Sequence, residues 1–286
     1  MSTVSAVVVN YNAREYLVPC VRSLREAGVG EIIVADNDSR DDSADALAAA
    51  EPDAKFVPTG GNFGFGGGAN RGAAMAGGEY LLICNPDITV APDAVDALVA
   101  FMEKDGFLAV VGPKILNPDG SVYPTPRVFP RLRDATGHAF LGMIVPRNRF
   151  TRRYRMLDLD RDVSSTHVDW VSGSCFLARR AAWDALGGFD EGYFMYAEDT
   201  DLCWRAHEAG WKVGFEPAAR VVHVQGASTS KTPYRMIRAH HRSLLRFSSR
   251  TATGPKRALL PLVAVALGLR MLIALGHRAA RRPATR

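Results

Sequence analysis

Glu198, Asp199 and Asp201 fall within four positions of a stretch that reads GGFDEGYFMYAEDTDLCWRAHEAGWKVGFEP over residues 187–217. Carboxylates this close repel one another unless solvent dilutes the charge, a cation sits among them or a proton transfer uses them. Helix capping is the simpler alternative, since acids favour the start of the helix predicted over residues 200–209. Capping does not account for Phe194, Met195 and Tyr196, three bulky apolar residues that would wall in the approach. A carboxylate beside apolar walls has a raised proton affinity and can serve as a general base. The cluster therefore points to an enzyme.

A second acidic station follows an apolar run. YLLIC (80–84) leads directly into Asn85, Pro86 and Asp87, which puts Asp87 at the carboxyl edge of a strand. Mg²⁺ or Mn²⁺ is usually held by one or two carboxylates together with waters and substrate phosphate oxygens, so one Asp here can hold a divalent metal. Asn-Pro-Asp is equally a good turn. Asp36, in VADNDSRDDS, ends another strand where an acid can accept hydrogen bonds from a nucleoside, while residues 39–43 also offer helix caps. GGNFGFGGGANRG (60–72) supplies glycines that let backbone approach a phosphate or sugar closely, or merely a flexible loop. It is not a dinucleotide GxGxxG after the first strand, and no GxxxxGK[ST] occurs. His223 closes RVVHV, as an edge residue or as an imidazole ligand to the same cation.

These residues need a scaffold, and the apolar periodicity describes one. Short two-sided runs at 5–10, 31–36, 55–59 and 80–84 alternate with helical patterns near 14–27, 43–50, 69–76 and 92–104. Such alternation predicts an α/β fold with a mostly parallel sheet flanked by helices. Ligands bind such sheets at the carboxyl ends of the strands, here Asn10, Asp36, Thr59 and residues 85–87. After LAVVGP (108–113) the alternation stops, and the Arg- and Pro-rich region 124–163 reads as a long connection or lid packed around a substrate. Strand signals return over 167–179, then at WKVGFEP and RVVHV.

Charge divides the chain. Residues 1–216 hold 21 Lys and Arg against all 30 Asp and Glu, a net −9, whereas residues 217–286 hold 14 Lys and Arg and no acid. A basic tail on an acidic body points to an anionic surface, and no nucleic-acid partner is expected. ALLPLVAVALGLRMLIAL (258–275) is short for a span and is flanked by Lys256, Arg257, Arg278, Arg281 and Arg282. It fits a helix lying in the interface of an anionic cytoplasmic leaflet, the alternative being a buried C-terminal helix. Cys20, Cys84, Cys175 and Cys203 show no ligand spacing and fit a reduced compartment. With no basic leader before 5–9, the expected location is cytoplasmic, peripheral on the plasma membrane.

In order, VVVNYN (7–12), VADNDSRDDS (34–43), GNFGFGGGANRG (61–72), NPD (85–87), WVSGSCFLARR (170–180), residues 187–211 and the late His223 resemble the family 2 glycosyltransferases of the GT-A fold over residues 4–245. DGSVYP (119–124), PRN (146–148) and AHH (239–241) are similar to bacterial rhamnosyltransferases, among them actinobacterial enzymes that move rhamnose from dTDP-rhamnose to polyprenyl-diphosphate-linked N-acetylglucosamine. The resemblance implies a GT-A domain over 1–249, with a nucleotide-sugar half (1–112) and an acceptor half (113–249), and a membrane-associating segment over 250–286. It implies a nucleobase contact at Asp36 and a sugar-nucleotide wall running from Asn62 through Gly64, Phe65 and Asn70 to Arg71. Asn10, Asn12, Asn37, Asn85, Trp170, Ser172 and Gly173 join these as substrate contacts. Asp87, with His223, would hold the metal; Asp199 would be the base of an inverting transfer, with Glu198 orienting it or the acceptor. Asn85 stands where the family has the first Asp of DxD, which implies weaker metal affinity. The alternatives are a sugar-1-phosphate nucleotidyltransferase, although NYNAREY occupies the place of its phosphate-gripping loop, and a non-catalytic membrane-tethered scaffold that binds nucleotide sugars.

Overall fold

The computed structural model of the chain describes residues 3–129, 145, 148–156, 166–226 and 232–280. Most of the connection expected over 124–163, part of PRN, and Arg281 and Arg282 lie outside the described residues.

The first third alternates as its periodicity predicts: β1 (Val4–Asn10), α1 (Arg14–Glu26), β2 (Glu31–Asp36), α2 (Ser43–Ala50), β3 (Lys55–Pro58), α3 (Gly64–Ala73) and β4 (Tyr80–Cys84). Successive residues of a strand face opposite ways, and β1 uses both faces. Ala6 and Val8 pack with Leu17, Cys20, Val21 and Leu24 of α1, whereas Val7 and Val9 pack with Phe65 and Ala69 of α3. Two cores therefore sandwich one sheet. β5 (Ile88–Val90), α4 (Ala94–Glu103), β6 (Leu108–Leu116), β7 (Val122–Tyr123) and α5 (Arg149–Tyr154) follow. Next come β8 (Thr166–Val168), β9 (Cys175–Arg179), α6 (Arg180–Leu186), α7 (Glu198–Glu208) and β10 (Lys212–His223).

The sheet runs β3-β2-β1-β4-β9-β6-β10-β5, with β7 on β6 and β8 on β10. Its first four strands are parallel, and β9 lies antiparallel between β4 and β6. The boundary expected at residue 112 falls inside β6, so the sheet is continuous across it. WKVGFEP and RVVHV are one strand rather than two. β10 carries a register shift between Glu216 and Arg220, which absorbs Pro217 while the ladder with β6 resumes beyond it.

The glycine segment differs from its expectation. Helix α3 begins at Gly64 rather than near residue 69, and its glycines serve packing more than ligand approach. A Cβ on Gly72 would lie 2.4 Å from Val7 Cγ1, and one on Gly68 would lie 2.7 Å from Val9 Cγ1. The helix therefore sits closer to β1 than any side chain would permit. Gly64 itself has φ +77°, and a Cβ there would stand 1.8 Å from the Phe194 carbonyl oxygen.

Helix α8 (Pro233–Thr251) packs on the body, followed by a 3₁₀ turn (Gly254–Leu259) and α9 (Leu260–Ala280). Arg246 Nη2 lies 2.8 Å from Asp190 Oδ2, and Arg250 pairs with Asp190 and with Asp201, the latter at 3.3 Å. The 27 residues Gly254–Ala280 are long and apolar enough to cross a membrane, by length and composition alone. One face of α9 turns toward α8; Leu262, Val265, Leu269, Leu272 and Ile273 remain exposed.

Candidate active site

Strand register brings the distant acid and imidazole together. β10 runs antiparallel to β5 with His223 opposite Ile88, and the Val224 N–H donates to the Asp87 carbonyl at 3.0 Å. His223 Nε2 consequently lies 3.0 Å from Asp87 Oδ1 and 3.2 Å from Asn85 Nδ2, with both Asp87 and His223 buried. One carboxylate and one imidazole with adjoining donor atoms form a set that suits Mn²⁺ or Mg²⁺ when a diphosphate fills the remaining positions. Among the described residues no group of three or more His, Cys, Asp or Glu could hold a metal, so such a cation would depend on substrate oxygens.

The second station is tied to the first through the turn before β9. The Asn85 N–H donates to the Ser174 carbonyl at 2.9 Å, and the Gly173 N–H donates to Asp199 Oδ2 at 2.8 Å. A Cβ on residue 173 would lie 3.1 Å from Asp199 Cβ and 3.3 Å from that carboxylate oxygen, so a side chain there would press on Asp199. Asp199 Oδ1 accepts from the Thr200 N–H at 2.7 Å and from the Thr200 hydroxyl at 3.2 Å. Burial raises the Asp199 pKa, opposed by the Gly173 and Thr200 donors and by the nearby Arg127 charge. Glu198 is buried with Oε2 unpartnered, and burial together with the Asp199 charge pushes its pKa up to about 8. Asp201 is structural: it accepts from Arg205 Nε at 2.7 Å and from the Tyr193 hydroxyl at 3.2 Å, beside Arg250.

Tyr196 and Ala197 carry these acids on strained backbone, at φ 69° and 63°. Non-glycine residues in the left-handed region are uncommon, and two in succession turn the chain sharply into α7. Phe194, Met195 and Tyr196 line the cleft, as their bulk implied.

The cleft measures about 520 Å³, within the range of small-molecule sites. Asn37, Asn62, Gly64, Phe65, Asn85, Asp87, Trp170, Ser172, Gly173, Glu198, Asp199 and His223 all line it. Five expected contacts do not. Asp36 spends its carboxylate on Asn10 Nδ2 at 2.7 Å and on the Ser39 N–H and hydroxyl, a buried knot that fixes the ends of β1 and β2. Asn12, at φ 50°, accepts from the Arg40 N–H. Asn70 bonds the Phe189 carbonyl and Glu191, and Arg71 pairs with Glu191 at 3.1 Å. Their work is to clamp the loop before α7.

Several cleft residues had no assigned role in the sequence, among them two arginines, a tyrosine and a histidine. Arg127 stacks between Trp170 and Tyr123, at 4.8 and 5.5 Å from the ring centroids, and donates to the Tyr123 hydroxyl at 2.8 Å. Arg235 lies 4.4 Å over the Phe194 ring. His240 meets Tyr196 edge-on at 5.2 Å, and burial, Arg270 and His241 lower its pKa to about 4. Tyr123 and His240 sit in segments that resemble rhamnosyltransferases; Arg127 and Arg235 gave no local signal.

A sheet whose strand ends hold an acid–imidazole pair next to two buried carboxylates matches the GT-A fold. Solved structures with that fold superpose over nearly the whole chain. The mannosyltransferase PcManGT of Pyrobaculum calidifontis, in complex with GDP-Man and Mn²⁺, matches with TM-score 0.61 and 17% identity, covering 99% of this chain and 76% of that one. Staphylococcus aureus TarS matches with TM-score 0.56 and 15% identity, covering 95% and 72%.

The chain belongs to glycosyl transferase family 2, whose family model matches residues 5–186. It is 38% identical over 238 residues to the N-acetylglucosaminyl-diphospho-decaprenol L-rhamnosyltransferase of Mycobacterium tuberculosis, covering 79% of this chain and 77% of the relative. Rhamnosyltransferase WbbL of Escherichia coli is 28% identical, covering 67% and 72%. Family membership sets aside the nucleotidyltransferase and scaffold readings.

Proposed function

We propose that the enzyme is an inverting, metal-dependent rhamnosyltransferase that uses dTDP-rhamnose and glycosylates a hydroxyl of polyprenyl-diphosphate-linked N-acetylglucosamine at the cytoplasmic face of the membrane. The mycobacterial relative's name, matched at 38% identity over most of both chains, is the observation that carries the sugar and acceptor. The cleft supports the chemistry. The nucleotide would enter beside Asn37, Asn62 and Gly64 in the half formed by 1–112, and the acceptor beside Trp170 and the aromatic wall in the half formed by 113–249.

Asp199 takes the proton of the acceptor hydroxyl, whose oxygen attacks the anomeric carbon from the face opposite the leaving dTDP. Gly173 and Thr200 hold the Asp199 carboxylate in place, and Arg127 favours its ionised form. Trp170 and Tyr196 exclude water from the reacting carbon. A divalent cation held by Asp87 and His223 would supply charge neutralisation at the diphosphate. General-base assistance contributes about 10²–10⁴ in rate.

Purified full-length enzyme should transfer radiolabelled sugar from dTDP-rhamnose to the lipid-linked acceptor and lose that activity in EDTA. Transfer from UDP- or GDP-sugars in preference to dTDP-rhamnose would overturn the donor, and full activity in EDTA would overturn the metal.

A further inference from the structure

Five arginines recur along α8 at positions 235, 238, 242, 246 and 250, a spacing that places them on one helical face. The stripe divides by its partners. Arg246 and Arg250 at its far end are neutralised by Asp190 and Asp201. Arg235, Arg238 and Arg242 are exposed, and among the described residues none of them has an ion pair. No acid exists after Glu216 to supply one from the same segment. Self-repulsion of three neighbouring cations is unfavourable in the free protein, and an anion bound there relieves it.

The place of these three decides which anion. Arg235 is at the mouth of the cleft, its guanidinium spread over Phe194, which also lines the cleft. Behind the same helix packs α9, whose exposed leucine-rich face suits acyl chains. The uncompensated charge therefore begins at the mouth of the cleft that holds Asp199 and runs along a helix that the apolar α9 packs against. In a lipid-linked glycan, the group between the sugar and the hydrocarbon is a diphosphate. We propose that Arg235, Arg238 and Arg242 form a ledge that binds the diphosphate of the acceptor, a subsite separate from the donor diphosphate at Asp87 and His223. This rests on the reading that the acceptor is prenyl-diphosphate-linked. The guanidinium fork matches phosphate oxygens in pairs, and each charge-assisted contact changes affinity by about tenfold or more.

The ledge can be tested on the full-length enzyme in uncharged detergent micelles, which contain no anionic headgroups. Wild type should bind farnesyl diphosphate, and the triple variant R235A/R238A/R242A should bind it at least about tenfold more weakly, while both bind dTDP equally as evidence of an intact fold. In transfer assays the triple variant should raise KM for diphosphate-linked acceptor more than for the same sugar on an uncharged alkyl chain. Triple-lysine replacement should restore part of the binding. Equal binding of farnesyl diphosphate by wild type and variant would overturn the ledge. So would equal loss on both acceptors, or a defect seen only with anionic vesicles, which would assign the arginines to lipid headgroups. If wild type binds the prenyl diphosphate but transfers no rhamnose, the ledge stands and the proposed reaction fails.

Discussion

Asp199 and Glu198 are adjacent in sequence but occupy different electrostatic environments. Asp199 receives two backbone N–H donors and one hydroxyl, while Glu198 keeps one oxygen with no partner. Like charges so near do not both ionise readily, so Glu198 holds the proton and Asp199 the charge. Asp199→Asn should lower turnover about 10²-fold to 10⁴-fold with dTDP binding intact, measured by transfer rate and calorimetry. Glu198 also predicts a pH dependence of stability. Its carboxyl ionises near its ordinary value in the unfolded chain but near 8 in the fold, so the folded state binds the extra proton between those limits. Stability should fall as pH rises through that window and level off above about 8. Glu198→Gln should flatten this slope, as read from urea midpoints at pH 5 and pH 8; an unchanged slope would contradict the assignment. The acidic pair was legible in its spacing and apolar flank. The resemblance already gave Asp199 and Glu198 different roles; what the sequence did not show is the difference in their environments, which depends on a glycine 26 residues upstream and on left-handed backbone at Tyr196 and Ala197.

Among the elements, β1, β2 and β4 were legible because two-sided burial leaves an uninterrupted apolar run, bounded here by polar strand ends. Helix α3 was misread for an equally physical reason. Glycine weakens a helix, so a run of three argues for a loop unless a neighbouring strand needs the space. Val7 and Val9 need it, and only the folded sheet shows that. Gly72→Ala tests the account: although alanine favours helix, the added methyl meets Val7 and Ala35, and we expect a net loss of about 1–3 kcal/mol in denaturant unfolding. A gain in stability would mean that α3 can move away from the sheet at little cost.

For the whole molecule, the proposed function turns on the segregated charge and the apolar C-terminal segment, which under that reading face a membrane. At about 1.5 Å per residue the 21 residues of α9 extend about 30 Å, long enough to cross, yet one side of the helix turns toward α8. Interfacial attachment through the exposed leucines accommodates both observations. Deleting residues 251–286 should move the protein from the membrane pellet to the supernatant in sedimentation, and high salt should weaken attachment of the intact chain; unchanged sedimentation would oppose this. The position of β9 has a further consequence, for synthesis. It fills the gap between β4 and β6 only after about 65 further residues have been made, and β10 and its His223 come later still. Until then the nascent chain presents unpaired strand edges on both sides of that gap. Folding from the ribosome must therefore wait for the second half of the chain, and pairing across such sequence distance is intrinsically slow.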